Sequence, residues 1–425
     1  MKYLVILCTV VLVISCSQNS KDFETSYKDY NAYLKSRPHK NTSKYYTLWN
    51  SKITKDSTQL LSFGNVASEY NRYFKNTGDF QFLKKAEQAL SKAVEIANIN
   101  KEGYCRALAR NYISQHRFKE ALILAQEAIS MGAGSKATRS LLFDVHMELG
   151  NYQKAEAYLD SIRNPAEFGY LIRAAKWNDY KGDLDTTIEF MEKAMAKAEA
   201  SKNKDLLVWS YSNIADYYGH AGRFKDSYEH YLKTLAIDHQ NAYAKKGIAW
   251  IVFSHEKNGT EALRILDSVM QDYKSPDYYL LKAEIADFMN NTFLKRKNHD
   301  LYDAVISNKA YGAMYNAYNV DFILENTDQF EKALKIASEE VNNRATPESY
   351  SLLAHVYLKK EDYIRALEIV NANVIGKTYE PALLLNAAEV YKANHQFEKV
   401  KEIKLELADA IYELGPASKE KIASL

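Results

Sequence analysis

Glycine and proline are scarce, 15 and 6 in a chain of 425 residues. Turns are therefore few and short, which argues against an all-β fold and for helices. Cysteine is scarcer still, with three residues, Cys8, Cys16 and Cys105. Neither charge dominates, with 56 Lys and Arg against 54 Asp and Glu. That balance gives no basic stripe for nucleic acid. Catalytic signatures are missing too. There is no His-Glu-x-x-His helix, no pair of Cys-x-x-Cys and no Gly-x-Ser-x-Gly turn. Gly376-Lys377-Thr378 ends like a phosphate-binding loop, but Asn371 stands where that loop needs its first glycine. The ten histidines are scattered. No cofactor, metal or catalytic residue is expected, and the chain is not expected to be an enzyme.

What is present is a globular composition, 47% hydrophobic and 26% charged, with 33 tyrosines. The chain begins Met1-Lys2, and residues 3–14 are almost wholly apolar. That run is short of the ~20 residues a spanning helix needs and fits the core of a signal peptide. It ends in Val13-Ile14-Ser15-Cys16, which resembles the bacterial lipoprotein signal. The resemblance implies that residues 1–15 are removed and that Cys16 carries a diacylglycerol thioether and an N-acyl chain. Two or more acyl chains hold a protein stably on a membrane. Ser17, where Asp would favour the inner membrane, points to the outer one. Lys21-Asp22-Phe23-Glu24 is similar to the acidic patch of some surface-exported lipoproteins. Cys8 would leave with the signal and Cys16 would be blocked, so Cys105 remains alone and no disulfide forms within the mature chain. Residues 16–57 are polar and are expected to form a lipidated tether. A leading helix around residues 44–55 would follow, with Tyr45, Tyr46 and Trp49 available to cap what comes next.

From residue 58 to 425 the chain repeats itself. "ELGNYQKAEAYLDSI" and "HAGRFKDSYEHYLKTL" share a turn, a glycine, an aromatic residue and then a helical stripe. Before Gly222, Tyr211, Ile214, Ala215 and Tyr218 fall on one helix face. After it, Ser227, Tyr231, Thr234 and Leu235 mark a second. A small residue early in each second helix gives the register: Ala86, Ala121, Ala155, Thr187, Ser227, Ala262, Ala333, Ala366 and Val400. The spacings are 35, 34, 32, 40, 35, 71, 33 and 34. The gap of 71 is two steps, so a degenerate copy is expected near residues 276–310, and the stretch 276–345 is expected to be irregular. Residues 397–414 read as one helix, stopped by Gly415-Pro416.

This period and pattern resemble the tetratricopeptide repeat. The likeness implies an all-α fold, an α-solenoid of about ten helix-turn-helix units wound into a right-handed superhelix. "NTGDFQFLKKAEQALSKAVEI" and "TPESYSLLAHVYLKKEDYIRALEIV" are similar to bacterial exported lipoproteins built of this repeat. Carrying the repeat's groove-facing positions onto this sequence implies that Arg106, Arg110, Ser140, Asp144, Glu148, Lys176, Asp179 and Tyr180 line the concave side. Trp209, Asp216, His220, His355, Lys359 and Glu389 continue that set. The signs alternate, which disfavours a cationic clamp for a peptide's terminal carboxylate. Trp209, Tyr180 and His220 form the candidate hot spot, since Trp and Tyr dominate interface energetics. Against that, Trp209 and Tyr180 could simply pack between neighbouring units. Cys105 falls at a core position. The function these features favour is a lipid-anchored scaffold for an unidentified protein partner in the bacterial envelope, touching the membrane through its lipid alone. A glycan-binding uptake lipoprotein is the alternative, and an enzyme with its site in 276–345 is the second.

Overall fold

The computed structural model describes residues 23–36, 43–54 and 58–425. Cys16 and the signal segment lie outside the described residues. Among the described residues every regular element is a helix, and from Leu60 to Leu407 the helices alternate in ten pairs. Units 1 to 5 are Leu60–Thr77 with Gln81–Ile96, Lys101–Ser114 with Phe118–Ser130, Ser135–Glu148 with Tyr152–Ser161, Phe168–Tyr180 with Leu184–Ser201, and Lys204–His220 with Phe224–Ile237. In unit 6, Ala242–Trp250 continues as a π-helical turn, Ile251–His255, before Gly259–Met270. Units 7 to 10 are Asp277–Phe288 with Thr292–Ile306, Asn316–Asn326 with Phe330–Asn343, Pro347–Lys359 with Tyr363–Asn373, and Pro381–Ala393 with Phe397–Leu407.

The turn inside a unit is built the same way along the chain. A residue with positive φ ends the first helix at Gly150, Gly182 and Gly222, and also at His116, Lys257, Asn290, Glu361 and His395. The next amide then donates back into the last turn, as Arg223 N does to the Tyr218 carbonyl at 2.8 Å and Asn291 N to that of Ala286 at 2.8 Å. These bonds satisfy carbonyls that a helix end otherwise leaves free. Every small residue of the sequence register is buried, from Ala86 at 0% exposed to Val400 at 4%. Cys105 is fully buried as well, and burial pushes its thiol up.

Two local expectations change. The degenerate copy is a regular pair, unit 7, and only the link to unit 8, with its short 3-10 turn Lys309–Tyr311, is irregular. Its repeat signal is hidden because Lys295 takes the small-residue position, where its ammonium reaches Asp287 at 3.0 Å. The terminal helix is broken, Phe397–Leu407 giving way to Ile411–Leu414. The break frees the Tyr412 carbonyl to accept from Trp250 Nε1 at 3.1 Å and Ser254 Oγ at 2.7 Å.

The superhelix winds tightly enough to rest on itself. The turn of unit 1 meets the link between units 6 and 7, where Lys274 N donates to the Thr77 carbonyl at 2.6 Å. Phe80 packs on Tyr311 with ring centres 4.2 Å apart. The turn of unit 3 abuts the link after unit 8, that of unit 4 the link after unit 9, and that of unit 5 the segment after unit 10. A Cβ on Gly150 would meet the Ala345 carbonyl at 2.6 Å, and one on Gly182 would meet the Tyr379 ring at 2.4 Å. Phe224 packs on Tyr412 at 4.7 Å.

Before unit 1 the chain makes two separate contacts. Helix Lys44–Asn50 lies on unit 1, its Tyr46 hydroxyl 3.0 Å from that of Tyr70, while Tyr45 stays exposed. Residues 23–36, expected to be tether, are packed down along the second helix of unit 6. The Phe23 carbonyl accepts from His255 Nε2 at 2.9 Å, Tyr30 OH donates to Glu261 at 2.8 Å and Ser36 Oγ to Asp272 at 3.0 Å. Tyr30 and Leu34 join the core of units 5 and 6. This strap was illegible because its apolar residues, Phe23, Tyr30 and Leu34, pair with helices some two hundred residues away.

Candidate binding groove

The first helices line the inside of the superhelix, and stacking of its turns makes that inside a deep groove. Lys176 shows the character of the space. Its side chain keeps 43% of its surface, yet burial by surrounding protein is the strongest influence on its charge.

Near one end, a cavity of about 530 Å³ opens between the first helices of units 1 and 2 and those of units 5 and 6. Arg110 and Trp209 both line it, alongside the amides of Asn71, Asn111, Asn213 and Asn241. Asn111 is itself buried and donates to the Leu83 carbonyl at 3.1 Å. Arg110 stands in this cavity, and burial lowers its pKa. Trp209 turns one edge to Phe168 at 5.7 Å, so it packs between units and still faces the cavity.

Between units 3 and 4 runs a ladder of ion pairs. Arg173 holds Asp144 at 2.6 Å and also binds the Ser140 carbonyl at 3.0 Å. Lys176 holds Glu148 at 2.7 Å, and Arg344 reaches Glu148 from the next superhelical turn at 4.0 Å. Burial opposes both charges, but the pairing outweighs it, leaving Glu148 below and Lys176 above their ordinary values. Arg106 is spent on Thr138 at 3.1 Å. Tyr180 stacks on Tyr152 of the preceding unit at 4.0 Å and lines a smaller cavity of about 150 Å³. His220 lies at the edge, 3.6 Å from Glu413. The three hot-spot candidates therefore do not share a cavity: Trp209 joins Arg110, Tyr180 joins Lys176, and His220 stands apart.

From unit 5 onward the groove is acidic and tyrosine-rich. Asp216 accepts hydrogen bonds from Tyr231 and Tyr243, while burial raises its carboxyl despite them. A cavity of about 710 Å³ follows, with Glu284 and Glu325 in its wall and Lys246 paired to Asp277 at 2.8 Å. Burial first, then the charge of Glu325, pushes Glu284 up to about 7. His355 is buried between Asp321 at 3.9 Å and Glu389 at 3.8 Å, with neither ring nitrogen hydrogen-bonded. Glu389 also pairs with Lys421 at 3.1 Å, and Lys359 is exposed. Asp179 is raised by burial beside Tyr217. Sequence reading missed Arg173, Arg344, Lys246, Asp277, Glu284 and Tyr243. Lys246, Asp277 and Glu284 sit on first helices of units 6 and 7, where the degraded register gave no groove positions. Arg344 belongs to a link that only superhelical stacking brings in. Among the described residues no group of His, Cys, Asp and Glu is arranged to hold a metal, and no helix is long and apolar enough to cross a membrane.

Glu284 makes stability depend on pH. Its folded pKa lies above the ordinary value of 4.5, so the folded chain holds a proton that the unfolded chain releases. The native state is favoured below pH 4.5 and loses that advantage as pH rises towards 7. Glu284→Gln is expected to be stabilising by about 1–3 kcal/mol at pH 8, after allowance for partial solvation, and close to neutral at pH 4.5. Thermal unfolding of both forms across that range checks it. An equal effect at both pH values would remove the assignment.

Residues 112–168 match the tetratricopeptide repeat family. No curated protein matches the sequence. Among solved structures, a tetratricopeptide repeat protein from Parabacteroides merdae is similar over 55% of this chain and 92% of its own, with 17% identity and a TM-score of 0.39. PilW, a widely conserved type IV pilus biogenesis factor, is similar over 51% and 97%, with 15% identity and a TM-score of 0.40. Yeast Tom70 is similar over 82% and 91%, with 13% identity and a TM-score of 0.36. The family's repeat is matched in residues 112–168 and the same helix pair recurs from Leu60 to Leu407, so the described chain is an α-solenoid of tetratricopeptide-like helix pairs, an architecture whose stacked units form an extended concave surface.

Proposed function

We propose that the chain is a lipid-anchored scaffold of the bacterial envelope that holds an extended segment of a partner protein in its superhelical groove. The observation that carries the groove reading is the cavity of about 530 Å³, in which Arg110 and Trp209 meet a row of side-chain amides. Amides, one guanidinium and an indole are groups that pair with peptide backbone and cover an apolar side chain. The test is a photo-crosslinking residue at Asn213 in living cells. A discrete adduct that disappears with Trp209→Ala, but persists when exposed Ile123 on the outer face is changed, supports the reading. Adducts insensitive to Trp209→Ala would sink it. The same aromatic and amide lining suits a sugar ring, so retention of envelope glycan with no protein adduct would favour glycan uptake instead.

The anchor rests on Val13-Ile14-Ser15-Cys16 behind its apolar run, and Ser17 supports the outer membrane. Cys16→Ala is expected to move the protein out of the membrane fraction almost completely, because no described helix could hold it there. Fractionation with detergent extraction reads this directly. Unchanged membrane retention would reject the anchor.

A further inference from the structure

In eight of the ten units the second helix opens on an aromatic or large apolar residue (in unit 1 the N-cap, Phe80), and that residue has two fates. In units 1 and 2 it is covered, Phe80 at 8% exposed beneath Tyr311 and Phe118 at 2% beside Arg344. In unit 5, Phe224 packs on Tyr412. The cover comes from the later superhelical turn. Units 7 to 10 have no later turn above them among the described residues, so their turns form one end of the superhelix. There Tyr363 and Phe397, which open the second helices of units 9 and 10, are 39% and 57% exposed, Phe330 of unit 8 is half-buried, and Phe293 and Ile364, each the second residue of its helix, are 80% and 72% exposed, with Met289 at 38%. Large apolar side chains exposed at the turns of three of these four units mark a contact surface rather than scatter.

The strap enters at the same end. The Phe23 carbonyl and the Thr25 amide are held by His255 and Glu256, at the turn of unit 6. Cys16 stands seven residues before Phe23, and that length of chain reaches at most about 25 Å. We propose that this end of the superhelix lies on the membrane, with Phe293, Ile364 and Phe397 seated in the lipid interface. The proposal rests on lipidation of Cys16. A pinned strap with a short leader holds this face near the bilayer at high effective concentration, and apolar side chains there gain by entering the headgroup boundary. The opposite end carries Ile99, in the link between units 1 and 2, which is 79% exposed and faces away.

The test uses the full-length acylated protein carrying one added cysteine, Phe293→Cys, Ile364→Cys or Ile99→Cys. Cys105 is fully buried and stays unlabelled. Each variant is labelled with an environment-sensitive fluorophore and reconstituted into phosphatidylethanolamine and phosphatidylglycerol vesicles containing brominated lipid. Quenching of at least twofold at positions 293 and 364, with none at 99, is the expected result. Flotation with the vesicles is scored in parallel. Flotation without quenching at 293 and 364, or with equal quenching at 99, overturns the orientation and leaves the anchor standing. Failure to float overturns both.

Discussion

Gly150→Ala is expected to destabilise the protein by about 3 kcal/mol, and Gly222→Ala by about 1 kcal/mol. Both glycines end the first helix of their unit with nearly the same backbone, φ +72° and +71°. Placing an L side chain in that left-handed conformation costs about 1–2 kcal/mol wherever it occurs. The surroundings differ. A Cβ at 222 would meet nothing within 4 Å, whereas one at 150 would lie 2.6 Å from the Ala345 carbonyl oxygen. That oxygen is backbone and cannot swing away, so the two superhelical turns must part locally, an overpacking cost of about 1–3 kcal/mol. The difference between the two variants therefore reports the contact between turns, with the backbone term cancelled. Thermal unfolding measures the loss, and small-angle scattering measures whether the particle expands. Equal losses and equal radii would mean that stacking of the turns contributes nothing, and the groove would then be an open concave face.

The pair of glycines also shows where sequence reading stops. Gly78, Gly150, Gly182 and Gly222 look alike as turn markers, and as markers they locate the units correctly. Only three of the four also have a neighbour from another superhelical turn close to the Cβ position. Local periodicity specifies a helix pair and its partner in the next unit, because the residues involved lie within some forty positions of one another. It carries no signal for contacts such as Phe80 with Tyr311 or the Asn343 side-chain amide with the His116 carbonyl at 3.0 Å. Those depend on the small rotation between units, summed over half the chain.

The candidate site divides in the same way. Arg110, Asp144, Glu148, Lys176 and Trp209 were legible because each falls at a fixed place on a first helix. That Arg110 and Trp209 face one cavity, while Tyr180 and His220 do not, follows from superhelical curvature and was not. In the first helix of unit 6 and throughout unit 7 even the register failed. The π-helical turn Ile251–His255 adds a residue to one first helix, and Lys295 replaces the small residue of the next second helix. Both departures have structural uses: the π turn presents Ser254 to the C-terminal segment and His255 to the strap, and Lys295 neutralises Asp287 at the acidic cavity.

Tyr30→Ala is expected to release the strap while leaving the solenoid folded. The Tyr30 ring is 2% exposed, sits edge-on to Tyr228 at 6.4 Å between ring centres, and donates its hydroxyl to Glu261 at 2.8 Å. Truncating a buried aromatic costs about 3–5 kcal/mol where the chain cannot relax. Here it can, since the strap is joined to unit 1 only through residues 37–59 and detaches as a piece. The loss should then appear as local opening, not as a matching fall in global stability. Amides held by the strap's own contacts, such as Thr25 N on Glu256, should exchange with solvent about a hundredfold faster, since each 1.4 kcal/mol is tenfold. Amides within the second helices of units 5 and 6 should change far less. Tyr30→Phe separates the two contributions. It keeps the ring and removes only the hydroxyl, and Glu261 retains Arg264 at 2.6 Å, so its effect should stay near 1 kcal/mol. Hydrogen exchange read by mass spectrometry decides the matter. If the helices of units 5 and 6 lose protection together with the strap, then residues 23–36 are part of the solenoid core, and the orientation they impose on the membrane face is as rigid as the repeats themselves.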